Sequence, residues 1–380
     1  MIIENVKTNI VPSLTWNWLK SNNDVVSISH EFSDFCENDG EYEQNVSCIS
    51  INNLDDESCA FPFDYPQELS GVFNRANPKP ADSRCENHEI KEIKTEVIKS
   101  VHPVEKLINE TVKNQKVIKI NGVAEKPFVV NFNFEKCGAC KYKIHALAGA
   151  CATVIFVYKG KCDSLIKTEL YIEENADIRF VKVQLLEEDC LNIDDTAVFQ
   201  KDNSKVHFIQ IELGGKHINS GLHVMLEGNY SKFFSNVAYL CKNEQILDMN
   251  HIVDQYGKKS ECKMSVQGSL DNASVKIYRG TIDLKKGCCG AKGNEMEETI
   301  LLSPKSVNKS LPVILCDEED VEGEHGATIG KLSGEMLFYM QTRGISEDAA
   351  KTLLSRAKIQ AAADLIPDEN VKNEINCFLK

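Results

Sequence analysis

Ile178-Arg-Phe-Val-Lys-Val-Gln-Leu185 and Lys205-Val-His-Phe-Ile-Gln-Ile-Glu-Leu213 set β-branched and aromatic residues against polar ones with a period of two. That period belongs to a strand with two unlike faces, because successive side chains point to opposite sides. The same pattern continues outward in both directions. Upstream lie Ile118-Lys-Ile-Asn121 and Phe128-Val-Val-Asn-Phe-Asn-Phe134; downstream lie Phe233-Phe-Ser-Asn-Val-Ala-Tyr-Leu240 and Val275-Lys-Ile-Tyr-Arg-Gly-Thr-Ile-Asp-Leu284. Gly214-Gly215, Glu227-Gly-Asn229, Gln267-Gly268 and Asp271-Asn272 supply turn residues between strands. From Gln115 to Leu315, roughly 200 residues carry strands with almost no helix between them, which excludes a doubly wound sheet. A sandwich, a barrel and a solenoid remain. The strand-turn units recur at loosely similar spacing, which fits the coils of a solenoid about as well as a sandwich.

Around this β region the chain changes character. Residues 1–114 read as an irregular head, with a helical turn at Thr15-Trp-Asn-Trp-Leu-Lys20 and a linker at Asn74-Arg-Ala-Asn-Pro-Lys-Pro-Ala-Asp-Ser83. The β core is expected over 115–318 and a helical region over 319–380. In that last region Ser333, Ser346 and Asp368 are placed to cap three helices, with Gly344 ending the first. Leu353, Leu354 and Ala357 form one apolar stripe, and Val371, Ile375, Phe378 and Leu379 another.

Composition narrows the function. The net charge is −14, from 57 acidic and 43 basic residues, and no dense basic run occurs. This argues against a nucleic-acid surface and against adsorption to anionic membranes. The longest apolar stretch, Ala146 to Tyr158, is too short for a membrane span, which needs about 20 residues. The first residues carry no export pattern, so the fifteen cysteines are expected to be reduced thiols in a cytoplasm.

Cysteine, histidine and carboxylate cluster most densely in Cys316-Asp-Glu-Glu-Asp-Val-Glu-Gly-Glu-His325-Gly-Ala-Thr-Ile-Gly330. These donors bind iron and other transition metals, although an acidic turn facing solvent has the same composition. If coils stack about 4.8 Å apart, the carboxylates near Glu297 fall beside those near Glu318 or His325. Cys137-Gly-Ala-Cys140 has the spacing of half a zinc or iron–sulfur site, but no second pair completes it; Cys151 and Cys162 lie on other strands. Cys288 and Cys289 are adjacent and read as structural. His207, His217, His223 and His251 are scattered over predicted strands. There is no His-Glu-x-x-His, phosphate-binding glycine loop or Gly-x-Ser-x-Gly elbow, and the glycines of 287–293 lack the Lys-Ser/Thr of a nucleotide cradle. A chain without a self-contained catalytic apparatus reads as a scaffold and not an enzyme.

His325-Gly-Ala-Thr-Ile-Gly330, followed by Leu337-Phe-Tyr-Met-Gln-Thr-Arg-Gly344-Ile345 and an Ala/Leu helix, resembles the SufB/SufD family of iron–sulfur cluster assembly proteins. Tyr278-Arg-Gly-Thr-Ile-Asp-Leu284, Leu301-Leu-Ser303 and Asp320-Val321 fit the same pattern, and His-Gly-Ala-Thr points to its SufD side. The resemblance implies a right-handed parallel β-helix with a mixed, partly helical region before it and helices after it. It implies a cytoplasmic scaffold on which a transient iron–sulfur cluster forms where two β-helix subunits meet. The partners so implied are a SufC-type ABC ATPase on the C-terminal helices and, across the β-helix, a SufB-type paralogue or a second copy of the chain. Nucleotide would bind the ATPase and not this chain. His325 takes the position of the family's cluster-assembly histidine; Cys316, Glu297 and Glu322 are secondary candidates, with His325 and Cys316 as metal ligands. The chain departs from the family at Gly323, where a SufD-type cysteine commonly stands, and near Glu297, where SufB-type proteins carry their assembly cysteine. A purely structural partner without cluster ligands is the alternative. A polysaccharide-acting β-helix enzyme is disfavoured, because it would need export and clustered catalytic carboxylates in a groove.

Overall fold

The period-two segments pair in parallel, each with the segment two strands along the chain. A computed structural model describes residues 3–8, 24–28, 30–35, 41–42, 49–53, 103–113 and 115–380. The expected helical turn at 15–20 and linker at 74–83 lie outside them. Before the core come β1 (Ile3–Thr8), β2 (Asp24–Ile28), β3 (Ser33–Asp34), β4 (Glu41–Tyr42), β5 (Ile49–Asn53) and α1 (Pro103–Thr111). The core then runs as eight coils of two strands each. The first four are β6 (Lys116–Ile120) with β7 (Phe128–Phe134), β8 (Gly138–Ala146) with β9 (Cys151–Gly160), β10 (Ser164–Ile172) with β11 (Asp177–Leu186), and β12 (Leu191–Gln200) with β13 (Lys205–Glu212). The others are β14 (His217–Leu226) with β15 (Lys232–Cys241), β16 (Ile246–Gln255) with β17 (Glu261–Leu270), β18 (Val275–Leu284) with β19 (Lys292–Leu301), and β20 (Val307–Cys316) with β21 (Glu322–Lys331). From β6 to β21, even-numbered strands stack in one parallel sheet and odd-numbered strands in the other, so the chain is a β-solenoid.

Parallel pairing in fixed register stacks equivalent residues of successive coils. Phe128, Val154, Phe180, Phe208, Ser235, Met264, Glu295 and His325 form one such column in the odd sheet. In coils two to seven one corner turns through a left-handed residue. These are Gly149, Asn175, Asn203, Tyr230, Lys259 and Gly290, with φ between 54° and 75°. Each donates its backbone N–H to the corner of the next coil, as in Asn175 N to Asp202 O at 3.0 Å and Asn203 N to Asn229 O at 2.9 Å. Asn and Gly tolerate this conformation, which explains why they recur at the corners.

Three helices follow: α2 (Gly334–Thr342), α3 (Glu347–Ala363) and α4 (Glu369–Phe378). Their N-caps are the expected ones. Ser333, Ser346 and Asp368 accept from the backbone N–H of Met336, Ala349 and Val371 respectively. α3 and α4 lie on the outer face of the odd sheet, where Ile359, Ala362, Val371 and Ile375 pack against Ile155, Val157, Val183 and Ile211. The apolar stripe read at Leu353 is not the packing face. Leu353 stays exposed, and the helix instead buries Ala350, Ile359, Ala362 and Ala363.

Candidate functional site

The solenoid ends in an open edge. β20 and β21 each pair on one side only among the described residues, and β21 is largely exposed along its length. His325 lies on β21, directly in register with Glu295 of β19. Its side chain is exposed, whereas Glu295 beneath it is buried. Burial, reinforced by the neighbouring Glu297 charge and partly offset by Lys276, pushes the Glu295 carboxyl up to about 7. Gly280 on the facing sheet makes room for it, since a Cβ there would collide with the Glu295 carboxylate. An isolated glycine inside a strand marks such a close approach. That is the sequence signal for Glu295, which reasoning from the sequence passed over in favour of Glu297.

Glu297 is placed differently. It lies in register with Ala327, is buried, and its carboxylate accepts from the Lys276 ammonium, the Ser310 hydroxyl and, at 3.1 Å, the Thr299 hydroxyl. Its oxygens are thus committed inside the solenoid. Glu322 opens β21 at the surface and pairs with Lys292 at 2.8 Å. Cys316 ends β20 in the other sheet, exposed, and donates to the Glu318 carbonyl at 3.1 Å. Among the described residues, no group of three or more metal-binding donors lying within 4.8 Å of one another includes His325, Cys316, Glu297 or Glu322.

The acidic turn between Cys316 and Glu322 is built as structure. The Glu318 carboxylate accepts Gly287 N at 2.8 Å and Glu319 N at 3.0 Å, and these N–H groups hold it below the usual carboxylate range. Cys289 donates to Asp320 at 3.2 Å, while Cys288 is buried. The two adjacent thiols therefore face different surroundings, as their neighbouring positions imply.

From the third coil to the edge the interior carries buried polar groups. Lys182 pairs with Asp194 and donates to Thr196 at 2.9 Å. Gln210 donates to Glu212 at 2.5 Å and to Ser220 at 2.6 Å. Lys276 pairs with Glu297, and the Tyr239 hydroxyl meets Thr299 at 2.7 Å. His251 is buried, its ring edge-on to Tyr278 at 5.5 Å, and burial pushes it down to about 3, so it is neutral. Burial raises the Cys241 and Cys262 thiols well above their ordinary value, with Glu212 the largest charge near the first and Glu295 near the second. These two buried thiols stay protonated and are poor nucleophiles.

A second exposed surface adjoins the edge. α2 buries none of its residues, and Met336, Phe338 and Tyr339 are 49%, 68% and 59% exposed. Met296, Ile314 and Ile329 at the edge are also exposed. Exposed apolar side chains of this size suit an interaction surface. No helix among the described residues is long and apolar enough to cross a membrane.

Residues 135–358 match the family model described as SUF system FeS cluster assembly, SufBD core domain. The chain is similar to the iron-sulfur cluster assembly protein SufD of Plasmodium berghei, 23% identical over 210 residues, 55% of this chain and 16% of that protein. It is similar to a SufBD family protein of Staphylococcus epidermidis, 24% identical over 213 residues, 56% of this chain and 45% of the relative. It is also similar to SufD of Bacillus subtilis, 25% identical over 134 residues, 35% of this chain and 31% of the relative. The match thus spans less than half the length of each of these relatives. With the model covering more than half of the chain, and with stacked parallel coils beneath it, the chain belongs to the SufB/SufD family of the SUF iron–sulfur cluster assembly system.

Proposed function

We propose that the chain is a non-enzymatic, cytoplasmic scaffold subunit on which a nascent iron–sulfur cluster is built or passed on at the β20/β21 edge. The observation that carries this reading is His325, exposed on the last strand, whose outer edge is unpaired among the described residues, above the buried Glu295. An imidazole at an open sheet edge is a ligand without a complete coordination set. The remaining donors then come from a second chain whose own β edge pairs there, since unpaired N–H and C=O groups along an edge template such pairing. That second chain is a SufB-type paralogue or another copy of this one. Cys316 is the second candidate ligand. Glu297 and Glu322 are weaker, because both carboxylates already hold cationic partners. The exposed apolar side chains of α2 suit a SufC-type ATPase, which would bind the nucleotide and drive any opening of the interface.

The commitment of Glu297 inside the solenoid favours a second reading, a subunit that stabilises the complex without cluster ligands. Anaerobic reconstitution with ferrous iron and sulfide, alone and with the paralogue and ATPase, separates the two. In the scaffold reading the complex develops the visible absorption of a cluster, and His325→Ala with Cys316→Ser loses it while still binding both partners. Equal absorption in the double variant would leave only the stabilising role.

A further inference from the structure

Cys137 does not pair with Cys140, which is buried within β8. Its neighbours come instead from two other parts of the chain. Asp163, at the same corner one coil later, and His30, from the segment before β3, bring their ligand atoms within 4.8 Å of the Cys137 thiol and of each other. His30 Nδ1 lies 2.6 Å from Asp163 Oδ2. The other carboxylate oxygen is already fixed, accepting Leu191 N at 2.8 Å, so Oδ2 is held toward the histidine. Cys162, next to Asp163, is not one of these three. Its own thiol donates to the Glu135 carbonyl at 3.3 Å.

We propose that His30, Cys137 and Asp163 bind a divalent transition metal of the zinc type, with solvent completing its coordination. A thiolate, an imidazole and a carboxylate suit an ion of intermediate softness that keeps one position for solvent. Binding releases the proton of the Cys137 thiol to solvent and involves no redox change. The ion would act as a staple. β3 is a two-residue strand added to the β8 side of the even sheet through Ser33 and Asp34. Ser33 N donates to Cys137 O at 3.1 Å, and Asp34 accepts Lys113 N at 3.0 Å. So short a strand gains little from pairing alone, and a metal bond across His30 and Cys137 would fix it to the solenoid. The site lies at the opposite end of the solenoid from His325 and does not depend on the scaffold reading.

The test is an anaerobic titration of the reduced, chelator-treated full chain with cobalt(II), followed by zinc competition. A single equivalent should bind with thiolate-to-cobalt charge transfer and tetrahedral d–d absorption, both removed by zinc. Cys137→Ser should lose most of the charge transfer. His30→Ala should bind about tenfold or more weakly, as a lost ligand weakens a site at least as much as a lost outer-shell partner. Cys151→Ser, an exposed thiol outside the group, should behave as wild type. Zinc should also slow hydrogen exchange at the Ser33 amide in wild type but not in His30→Ala. Unchanged cobalt binding in His30→Ala, whose side chain is exposed and whose fold circular dichroism can check, would overturn the proposal. The absence of stoichiometric binding in wild type would do the same and reduce the group to a histidine–carboxylate pair.

Discussion

The early and late coils of the solenoid are closed by the same ladders but filled with opposite chemistry. In the early coils the interior is aromatic. Phe156 lies 5.2 Å, centroid to centroid, from each of Phe132, Tyr142 and Phe180, at angles of 66° to 85°. In the late coils the columns of Phe180, Phe156 and Phe132 carry Glu295, Glu297 and Thr299, with Lys276 from the facing sheet paired to Glu297, all buried. Apolar burial stabilises directly, whereas a buried ion pair roughly offsets its own desolvation. The difference teaches that the early coils hold the solenoid together, and that the late coils keep ionisable groups beneath the open edge at little gain in stability.

Each half can be tested by substitution. Phe156→Ala should cost about 3–5 kcal/mol, read as a fall in the urea midpoint, because it removes an aromatic from a close-packed stack. Lys276→Met should cost a similar ~3–5 kcal/mol by leaving the Glu297 charge without its partner. The two differ in rescue. Adding Glu297→Leu to Lys276→Met should recover most of the loss, whereas no neighbouring substitution should restore Phe156→Ala. Failure of that rescue would mean that the late coils depend on their ion pair for stability, and the contrast would fall.

A smaller effect is expected from pH. Burial raises the Glu295 and Glu212 carboxyls from an ordinary 4.5 to about 7. Between those values the folded chain holds protons that the unfolded chain has released, so stability should fall as pH rises from about 4.5 to about 7 and level off above it. Glu295→Gln should flatten part of that slope; an unchanged slope would show that Glu295 does not titrate in this window.

How far the sequence announced this contrast depends on which residues carry it. The alternation in 178–185 and 205–213 fixed the strands, and Ser333, Ser346 and Asp368 fixed the helix starts, because both signals are local. Parallel pairing is not local: the same period two would serve a sandwich, and only the family resemblance chose between them. His325 was legible through that resemblance. Glu295 was not, because Gly280 marks a close approach without naming its neighbour, and only register decides which of Glu295, Glu297 and Glu298 lies beneath the histidine. The Cys137, Asp163 and His30 group was half legible. The Cys-x-x-Cys spacing drew attention to Cys137, but Asp163 and His30 lie 26 and 107 residues away in sequence and meet it only through stacking and the docking of β3.

The smallest effect on stability should come from the residue to which the proposed function gives the largest role. His325→Ala alters an exposed side chain on the edge strand, so its urea midpoint should stay within about 0.5 kcal/mol of wild type. The decisive measurement is iron–sulfur cluster transfer to an apo-acceptor protein by the complex of this chain with the proposed SufB-type and SufC-type partners, wild type against His325→Ala. The account predicts an intact complex with cluster transfer lost. Full transfer by a correctly folded and assembled His325→Ala complex would contradict it.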